Sequence, residues 1–207
     1  LSSQHKNFKS YSKQLFDAIS NINENSLIKV KDEILKRIDG NGDIYIVGNG
    51  GSAANAHHIV GDYSKTFAML GKSIKINCLS DNACYITAAA NDLDYSEVFE
   101  LLINTRVKKG DFLFFLSGSG NSLNLIKAAR IAKISKIKTG AITGFSGGAL
   151  KDLVDIHIHV NIHDMEIAED AQIAIFHYIK QKLYSESILD EDQMPKYNKR
   201  IREDLIA

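Results

Sequence analysis

The sequence predicts an α/β fold in which a doubly wound sheet of five parallel strands lies between helices. Short apolar runs rich in Ile, Val and Phe alternate with amphipathic stretches, and each run suits a strand that is buried on both faces. The segments between the runs are long enough for crossover helices. The 207 residues fit a single domain, with N-terminal helices at 1–42, a core at 43–187 and a tail at 188–207.

The predicted elements follow the hydrophobic pattern in chain order. Two amphipathic helices, 8–22 and 27–38, precede the first strand, and turn residues at 39–42 end the second helix. Another helix is expected at 123–134. A long helix covers 166–187, after which acidic residues and the single proline break the pattern. The predicted strands are 44–47, 74–79, 112–116, 139–143 and 154–160.

Charge and composition exclude several classes of protein. The chain has 25 basic and 25 acidic residues, so it lacks the basic field of a dedicated nucleic-acid binder, and no nucleic-acid partner is expected. No apolar run approaches the ~20 residues of a membrane-spanning helix, and the first residues have no secretory apolar core. We therefore expect a cytoplasmic protein with no membrane partner. Cys78 and Cys84 are interpreted as reduced, partly buried thiols.

A glycine-rich turn joins the first strand to a helix. The residues Gly-Asn-Gly-Gly at 48–51 permit positive φ angles and close backbone approach, and Ser52 stands where the helix would begin. The N–H groups at such a helix start can hold phosphate oxygens. The spacing fits neither the GxxxxGK[ST] pattern of nucleotide triphosphatases nor the GxGxxG pattern of dinucleotide sites. No nucleotide cofactor is expected, and a smaller phosphorylated ligand fits better.

A second loop of the same kind follows the third strand. Residues 117–122, SGSGNS, lie directly ahead of the helix at 123–134. Because the carboxyl ends of parallel strands meet at one edge of a sheet, both loops are expected to face the same ligand. The plainer alternative is that Ser122 caps the helix and the glycines only turn the chain. Two loops at equivalent places favour a phosphate site.

Four segments together resemble the sugar isomerase (SIS) domain, and within it most of all the phosphoheptose isomerases. The segments are GNGGSAANAHH from residue 48, the pair Asn91-Asp92, the SGSGNS loop and EDAQIAIFH in the late helix, and the likeness covers about 27–183. It implies a homotetramer with active sites between subunits. It also implies exchange between an aldose phosphate and a ketose phosphate, here sedoheptulose 7-phosphate and a heptose 7-phosphate for bacterial surface polysaccharide.

The resemblance also implies roles for individual residues. Asp62 would be the general base, and His177 would act as acid and base, because aldose–ketose exchange moves a proton between neighbouring carbons. The family carries glutamate at the position of Asp62 and threonine at that of Gly118, so both positions depart from its pattern. The implied substrate-binding residues are Asn49, Gly50, Gly51, Ser52, Asn91, Asp92, Ser117, Gly118, Ser119, Ser122, Glu166 and Glu169.

Some family members hold a zinc ion, and this chain keeps side chains that could do so. His58 and Asp62 lie four residues apart and share a helical face, while Glu169 and His177 offer a carboxylate and an imidazole on another helix. Glu169 and His177 are, however, about 12 Å apart along a helix that rises ~1.5 Å per residue, which demands long side chains or different subunits. The alternative interpretation of Asp62 is an exposed carboxylate paired with Lys65.

Three functions stay open from the sequence. The leading hypothesis is an isomerase of a heptulose 7-phosphate. The second keeps the chemistry but changes the sugar, which the altered residues Glu166, Glu169 and Gln172 allow. The third is a non-catalytic SIS module that binds a sugar phosphate or a bacterial replication initiator protein. Titratable groups retained at His177 and Asp62 favour catalysis.

Overall fold

A computed structural model describes residues 7–40 and 42–187. Five parallel strands form one sheet in the order β2-β1-β3-β4-β5, which confirms the predicted fold class. The predicted tail at 188–207 lies outside the described residues. The strands are β1 Ile44–Gly48, β2 Ile76–Cys78, β3 Phe112–Ser117, β4 Lys138–Thr143 and β5 Ile156–His159.

Helices cover both faces of this sheet. The two helices expected ahead of β1 are present, and so is the long helix near the end of the described chain. Two short 3-10 helices, Tyr95–Glu97 and Ala149–Asp152, lie in the connections. None of the helices within the described ranges is long and apolar enough to cross a membrane. The helices are α1 Phe8–Ser20, α2 Glu24–Leu35, α3 Gly50–Met69, α4 Ala83–Asp92, α5 Val98–Arg106, α6 Leu123–Ile134 and α7 Met165–Ser187.

The central strands are apolar along their whole length because each face of the sheet has its own core. Ile46 of β1 and Phe114 of β3 point into a core shared with α1, α2, α3 and α7. Their neighbours Val47 and Phe115 point into a second core shared with α5 and α6. Alternate residues of a strand point to opposite faces, so a strand buried on both sides carries no polar alternation.

The strand order places a crevice at the ends of β1 and β3. These strands are hydrogen-bonded neighbours, with Gly48 aligned to Leu116, yet the chain leaves β1 towards β2 and leaves β3 towards β4. Open α/β sheets bind ligands at such a reversal, outside the carboxyl ends of the strands. The two glycine-rich loops begin at this point.

Helices α3 and α7 lie against each other, and a buried contact fixes their relative positions. The Tyr63 hydroxyl donates a 2.7 Å hydrogen bond to the carbonyl of Phe176, and the two rings meet edge to face. Phe176 also packs edge to face on Phe114 of β3. Tyr63 follows Asp62 and Phe176 precedes His177, so this contact brings the two predicted catalytic residues together.

The two cysteines have different environments. Both are free thiols, as expected, but only Cys78 is buried, at the end of β2, whereas Cys84 is exposed on α4. Burial raises the pKa of the Cys78 thiol, which keeps it protonated. The expectation of two partly buried thiols is wrong for Cys84, because α4 presents this residue to solvent.

Candidate active site

A cavity of about 280 Å³ opens where β1 and β3 end. The two predicted loops face each other across it because their strands are neighbours in the sheet. The volume is just below the usual range of ligand pockets, about 300–1,000 Å³, and suits a small ligand better than a dinucleotide. The predicted residues that line it are Asn49, Gly50, Gly51, Ser52, Ser117, Gly118, Ser119, Ser122 and Glu169, together with Leu116, Leu125 and Met165.

Three predicted substrate-binding residues do not line this cavity. Asn91 and Asp92 are exposed in the last turn of α4, where the Asn91 side chain donates to the Asp92 carboxylate at 3.0 Å. Glu166 is exposed in the first turn of α7. One chain therefore brings nine of the twelve predicted residues to the cavity and leaves these three on its surface.

The Asn49 side chain connects the cavity loop to neighbouring elements. Asn49 stands at the N-cap of α3 without capping it. Its amide instead forms reciprocal hydrogen bonds with Asn124 of α6, at 2.9 and 3.0 Å, and accepts a 2.8 Å bond from the Tyr95 hydroxyl. Neither Asn124 nor Tyr95 was expected, because no local pattern links them to the first loop. Asn49 therefore holds the first loop against Asn124 and Tyr95, in addition to its expected role in substrate binding.

A carboxylate occupies the start of α3. Glu169 accepts hydrogen bonds from the Ser52 backbone N–H and hydroxyl. A Cβ on Gly51 would lie 2.5 Å from Glu169 Cδ, so glycine is required for this approach. Burial raises the pKa of Glu169, and the nearby charges of Glu166 and Asp170 raise it further. The helix start predicted to hold phosphate is thus already occupied by an acidic side chain.

The SGSGNS loop keeps its hydroxyls available. Ser117 Oγ accepts from the Gly120 N–H at 3.0 Å, and Ser119 Oγ accepts from the Asn121 N–H at 3.2 Å. Each of these hydroxyls retains its own hydrogen as a donor. Ser122 stands at the N-cap of α6 but makes no capping bond through its side chain. Ser122 therefore occupies the cap position without capping through its side chain, and it lines the cavity.

A second constellation lies further along α3 and α7. One ligand atom from each of His58, Asp62 and His177 lies within 4.8 Å of the others. We call these residues the His–Asp–His cluster. His58 Nε2 and His177 Nε2 are 3.0 Å apart, and His177 Nε2 is 3.7 Å from Asp62 Oδ2. Two of the three residues are the predicted catalytic pair, and all three are predicted metal ligands.

The fourth predicted metal ligand lies elsewhere. Glu169 lies on α7 two turns before His177 and is hydrogen-bonded to Ser52. It is not part of the His–Asp–His cluster. Between them lies Gln172, fully buried, which donates to Ser52 Oγ at 3.1 Å and accepts from Asn55 at 2.9 Å. Of the four predicted ligands, one chain brings three together, because the rise of α7 separates Glu169 from His177.

The Asp62 carboxylate is held by an unpredicted residue. Its side chain is only 14% exposed, and the ammonium of the nearly buried Lys180 donates to Oδ2. The predicted partner Lys65 lies 3.7 Å from Oδ1 and is 54% exposed. The interpretation of Asp62 as an exposed surface carboxylate is therefore wrong. Sequence offered no signal for Lys180, whose spacing on α7 is that of an ordinary helical residue.

The protonation states in the cluster follow from these contacts. Burial raises the pKa of the Asp62 carboxyl, but the hydrogen bond and charge of Lys180 outweigh it and hold that pKa below its ordinary value. Lys65 and His177 act in the same direction. Burial also lowers the pKa of His177, with help from the charges of Lys180 and His58 and against that of Asp62. Near neutral pH the site holds a carboxylate beside a neutral imidazole.

Comparison with known proteins adds independent evidence on this chain. A model of the SIS domain matches residues 7–144. The chain is 35% identical over 159 residues to a protein named "Probable phosphoheptose isomerase" from Thermoplasma acidophilum, covering 77% of this chain and 87% of the relative. It is 34% identical over 179 residues to the phosphoheptose isomerase of Thermodesulfovibrio yellowstonii, covering 86% of this chain and 87% of the relative.

A solved structure shows the same fold. The structure of a phosphoheptose isomerase from Francisella tularensis matches with a TM-score of 0.76 at 23% identity, over 86% of this chain and 96% of that one. At this identity the likeness concerns the fold alone. The family model and the relatives above 30% identity carry the assignment. The chain therefore belongs to the SIS domain family, as its glycine-rich loops and late helix indicate.

Proposed function

We propose that the protein is an aldose–ketose isomerase that converts sedoheptulose 7-phosphate into a heptose 7-phosphate. One observation carries the proposal: a largely buried carboxylate, Asp62, lies 3.7 Å from the imidazole of His177. This pair occurs in a chain that is 35% identical to a relative named for that activity. The curated relatives are named as isomerases, which favours catalysis over the alternative of a non-catalytic binding module.

The two residues divide the proton transfers between them. Asp62 takes a proton from C1 of the open-chain ketose, next to the C2 carbonyl, and returns it to C2 of the enediol intermediate. His177 moves the second proton, from the O1 hydroxyl to O2. A neutral imidazole can both accept and donate, and its lowered pKa keeps it in that form. The proton that leaves one oxygen is thereby returned to the other.

The phosphate binds in the cavity, on the side of the SGSGNS loop. The hydroxyls of Ser117 and Ser119 retain a donor hydrogen, and Ser122 adds an uncommitted hydroxyl. The start of α6 supplies the positive end of a helix beside them. Glu169 repels a phosphate from the other helix start, which directs the ligand to the second loop.

The complete site is proposed to form between subunits of a homotetramer. Ser52 in the cavity and Asp62 in the cluster are ten positions apart on α3, which is about 15 Å at ~1.5 Å per residue. A seven-carbon sugar phosphate spans roughly 10 Å at a C–C bond length of about 1.5 Å. The cluster of one chain therefore suits a sugar held in the cavity of another. Exposed Phe8, Phe16 and Ile28 on α1 and α2 support such an association.

The candidate ligands for a divalent ion such as Zn²⁺ are His58, Asp62 and His177. Imidazole nitrogens and a carboxylate are ordinary zinc ligands, and their mutual distances fit one ion. An ion held there would polarise the substrate carbonyl as a Lewis acid. The donor types fit, but the Asp62 oxygen that faces His177 already accepts from Lys180, so the three residues do not offer a free set of ligands. The cytoplasmic location and a role in surface polysaccharide synthesis stay predictions.

The activity is tested by incubating the purified protein with sedoheptulose 7-phosphate and a panel of five- to seven-carbon sugar phosphates. Asp62→Asn should lower kcat at least about 100-fold, the low end of what a general base contributes. Asp17→Asn, at a surface aspartate paired with Lys13, is the matched control and should leave the rate unchanged. No turnover of any sugar by the wild type would refute the proposal, and turnover of another sugar alone would replace the substrate.

A further inference from the structure

Lys180 occupies an unusual position for a lysine. It lies on α7 one turn after His177 and is 7% exposed. Its ammonium donates to Asp62 Oδ2, and the two side chains are 9% and 14% exposed. A lysine is seldom buried unless an acid compensates its charge, so the pair is a specific feature of this interface between α3 and α7.

The position of the ammonium matters for the cluster. Asp62 Oδ2, the oxygen that Lys180 occupies, is also the oxygen 3.7 Å from His177 Nε2. An ion shared by His58, His177 and Asp62 would take one Asp62 oxygen, and Oδ2 is the one that faces His177. It would also lie beside a positive charge in a partly buried place, where charges of the same sign repel strongly. The lysine therefore competes with a divalent ion for the same carboxylate.

We propose that Lys180 is the built-in cation of the His–Asp–His cluster: it positions the Asp62 carboxylate beside His177 and keeps divalent metal from binding there. The metal-excluding part stands on geometry alone, and the catalytic part rests on the proposed isomerase function. The lysine supplies the charge compensation that an ion would otherwise give to Asp62. Proton transfer by Asp62 and His177 then proceeds without a metal.

The chain offers a matched control. Lys65 also contacts Asp62, at 3.7 Å from Oδ1, but from the surface and with a 54% exposed side chain. Removing either lysine deletes one positive charge near the same carboxylate. Removing Lys180 also vacates the oxygen that faces His177. A comparison of the two variants separates occupation of the oxygen from a general effect of charge.

Zinc binding to the metal-free protein tests the proposal directly. Isothermal titration with Zn²⁺ should show Lys180→Met binding at least tenfold more tightly than the wild type, and Lys65→Met within twofold of it. Adding His58→Ala to Lys180→Met should abolish the gain, which places the ion in the cluster. Equal affinity of wild type and Lys180→Met would overturn the proposal. Circular dichroism checks folding, and Lys180→Gln makes the same comparison if the methionine variant does not fold.

The isomerase assay supplies the second test. In the presence of a chelator the wild type should keep its rate. Lys180→Met should lose kcat at least tenfold with KM within twofold, because the phosphate cavity is unchanged, and Lys180→Arg should restore part of the loss. A wild-type rate that is lost with chelator and regained with Zn²⁺ would overturn the proposal. If no sugar is turned over but the zinc affinities behave as expected, the isomerase function fails and the metal-excluding role of Lys180 stands.

Discussion

Replacing Gly120 with alanine should destabilise the SGSGNS loop and weaken substrate binding. Gly120 has a φ of +68°, a conformation that an alanine adopts only with strain. An added Cβ would lie 2.7 Å from the carbonyl carbon of Gly147 and closer still to its oxygen. Gly120 also joins the SGSGNS loop to the segment that follows β4, because its carbonyl accepts from the Leu150 N–H at 3.1 Å. The substitution therefore pushes the SGSGNS loop away from the turn at Gly147, which follows β4.

The expected loss of stability has two parts. The positive φ costs roughly 1–2 kcal/mol for a residue with a Cβ. The backbone clash adds about 1–3 kcal/mol, the usual range for overpacking. The total, about 2–5 kcal/mol, lowers Tm by roughly 4–20 °C at about 2–4 °C per kcal/mol for a chain of this size. Because Ser119 directly precedes Gly120 and Ser122 follows it two positions later, KM for the sugar phosphate should rise at the same time.

Two other glycines separate these contributions. Gly71 has the same φ of +68° but no atom within 4 Å of an added Cβ, so Gly71→Ala measures the strain alone. Gly61, inside α3, has no positive φ and equally open space, so Gly61→Ala should stabilise the helix by up to about 1 kcal/mol. Urea unfolding of the three variants gives the free energies. Equal losses for Gly120→Ala and Gly71→Ala would refute the expected cost of the clash with Gly147.

Three further predictions concern the cavity and the cluster. Glu169→Gln should lower KM several-fold because it removes a carboxylate that repels phosphate. Burial raises the pKa of Glu169, so the carboxylate is neutralised as pH falls, and the KM values of wild type and variant should then converge. In the pH profile of kcat/KM, the midpoint on the acid side should lie below the ordinary histidine pKa of about 6.5, because the pKa of His177 is lowered. A midpoint above that value would contradict the assignment of His177 as the catalytic acid and base. Ser122→Ala should raise KM with little change in urea midpoint, since Ser122 makes no capping bond; an unchanged KM would remove it from the site.

The fold could be predicted because its determinants are local. Each central strand is an apolar run with a sheet face on either side, and each glycine-rich loop follows such a run directly. The edge strand β2 was harder to delimit: it was expected at 74–79 and pairs only at Ile76–Cys78, with Asn77 exposed between two buried neighbours. A strand with one paired side carries a weaker pattern than the continuous runs of β1 and β3.

The sequence predicted those parts of the site whose residues all lie in one short segment of the chain. The serines of the SGSGNS loop were found because their loop follows a strand and precedes a helix. The contact of Glu169 with Ser52 and that of Lys180 with Asp62 depend instead on how α7 packs against α3. No spacing rule within one helix predicts a partner more than a hundred residues away. The resemblance to the family suggested Glu169 as a metal ligand. In the structure its carboxylate instead lies at the start of α3, against Ser52.

The packing of α7 also changes how the short side chain of Asp62, one methylene shorter than glutamate, is interpreted. A glutamate stands at this position in the family, so aspartate first looks like a base that falls short of its substrate. In this chain the carboxylate is met by the long side chain of Lys180, and both groups are nearly buried. An extra methylene at Asp62 would have to fit into that contact, and overpacked side chains cost about 1–3 kcal/mol. The short carboxylate of Asp62 and the long ammonium side chain of Lys180 together span the gap between α3 and α7. The length of each side chain must therefore be interpreted together with that of the other.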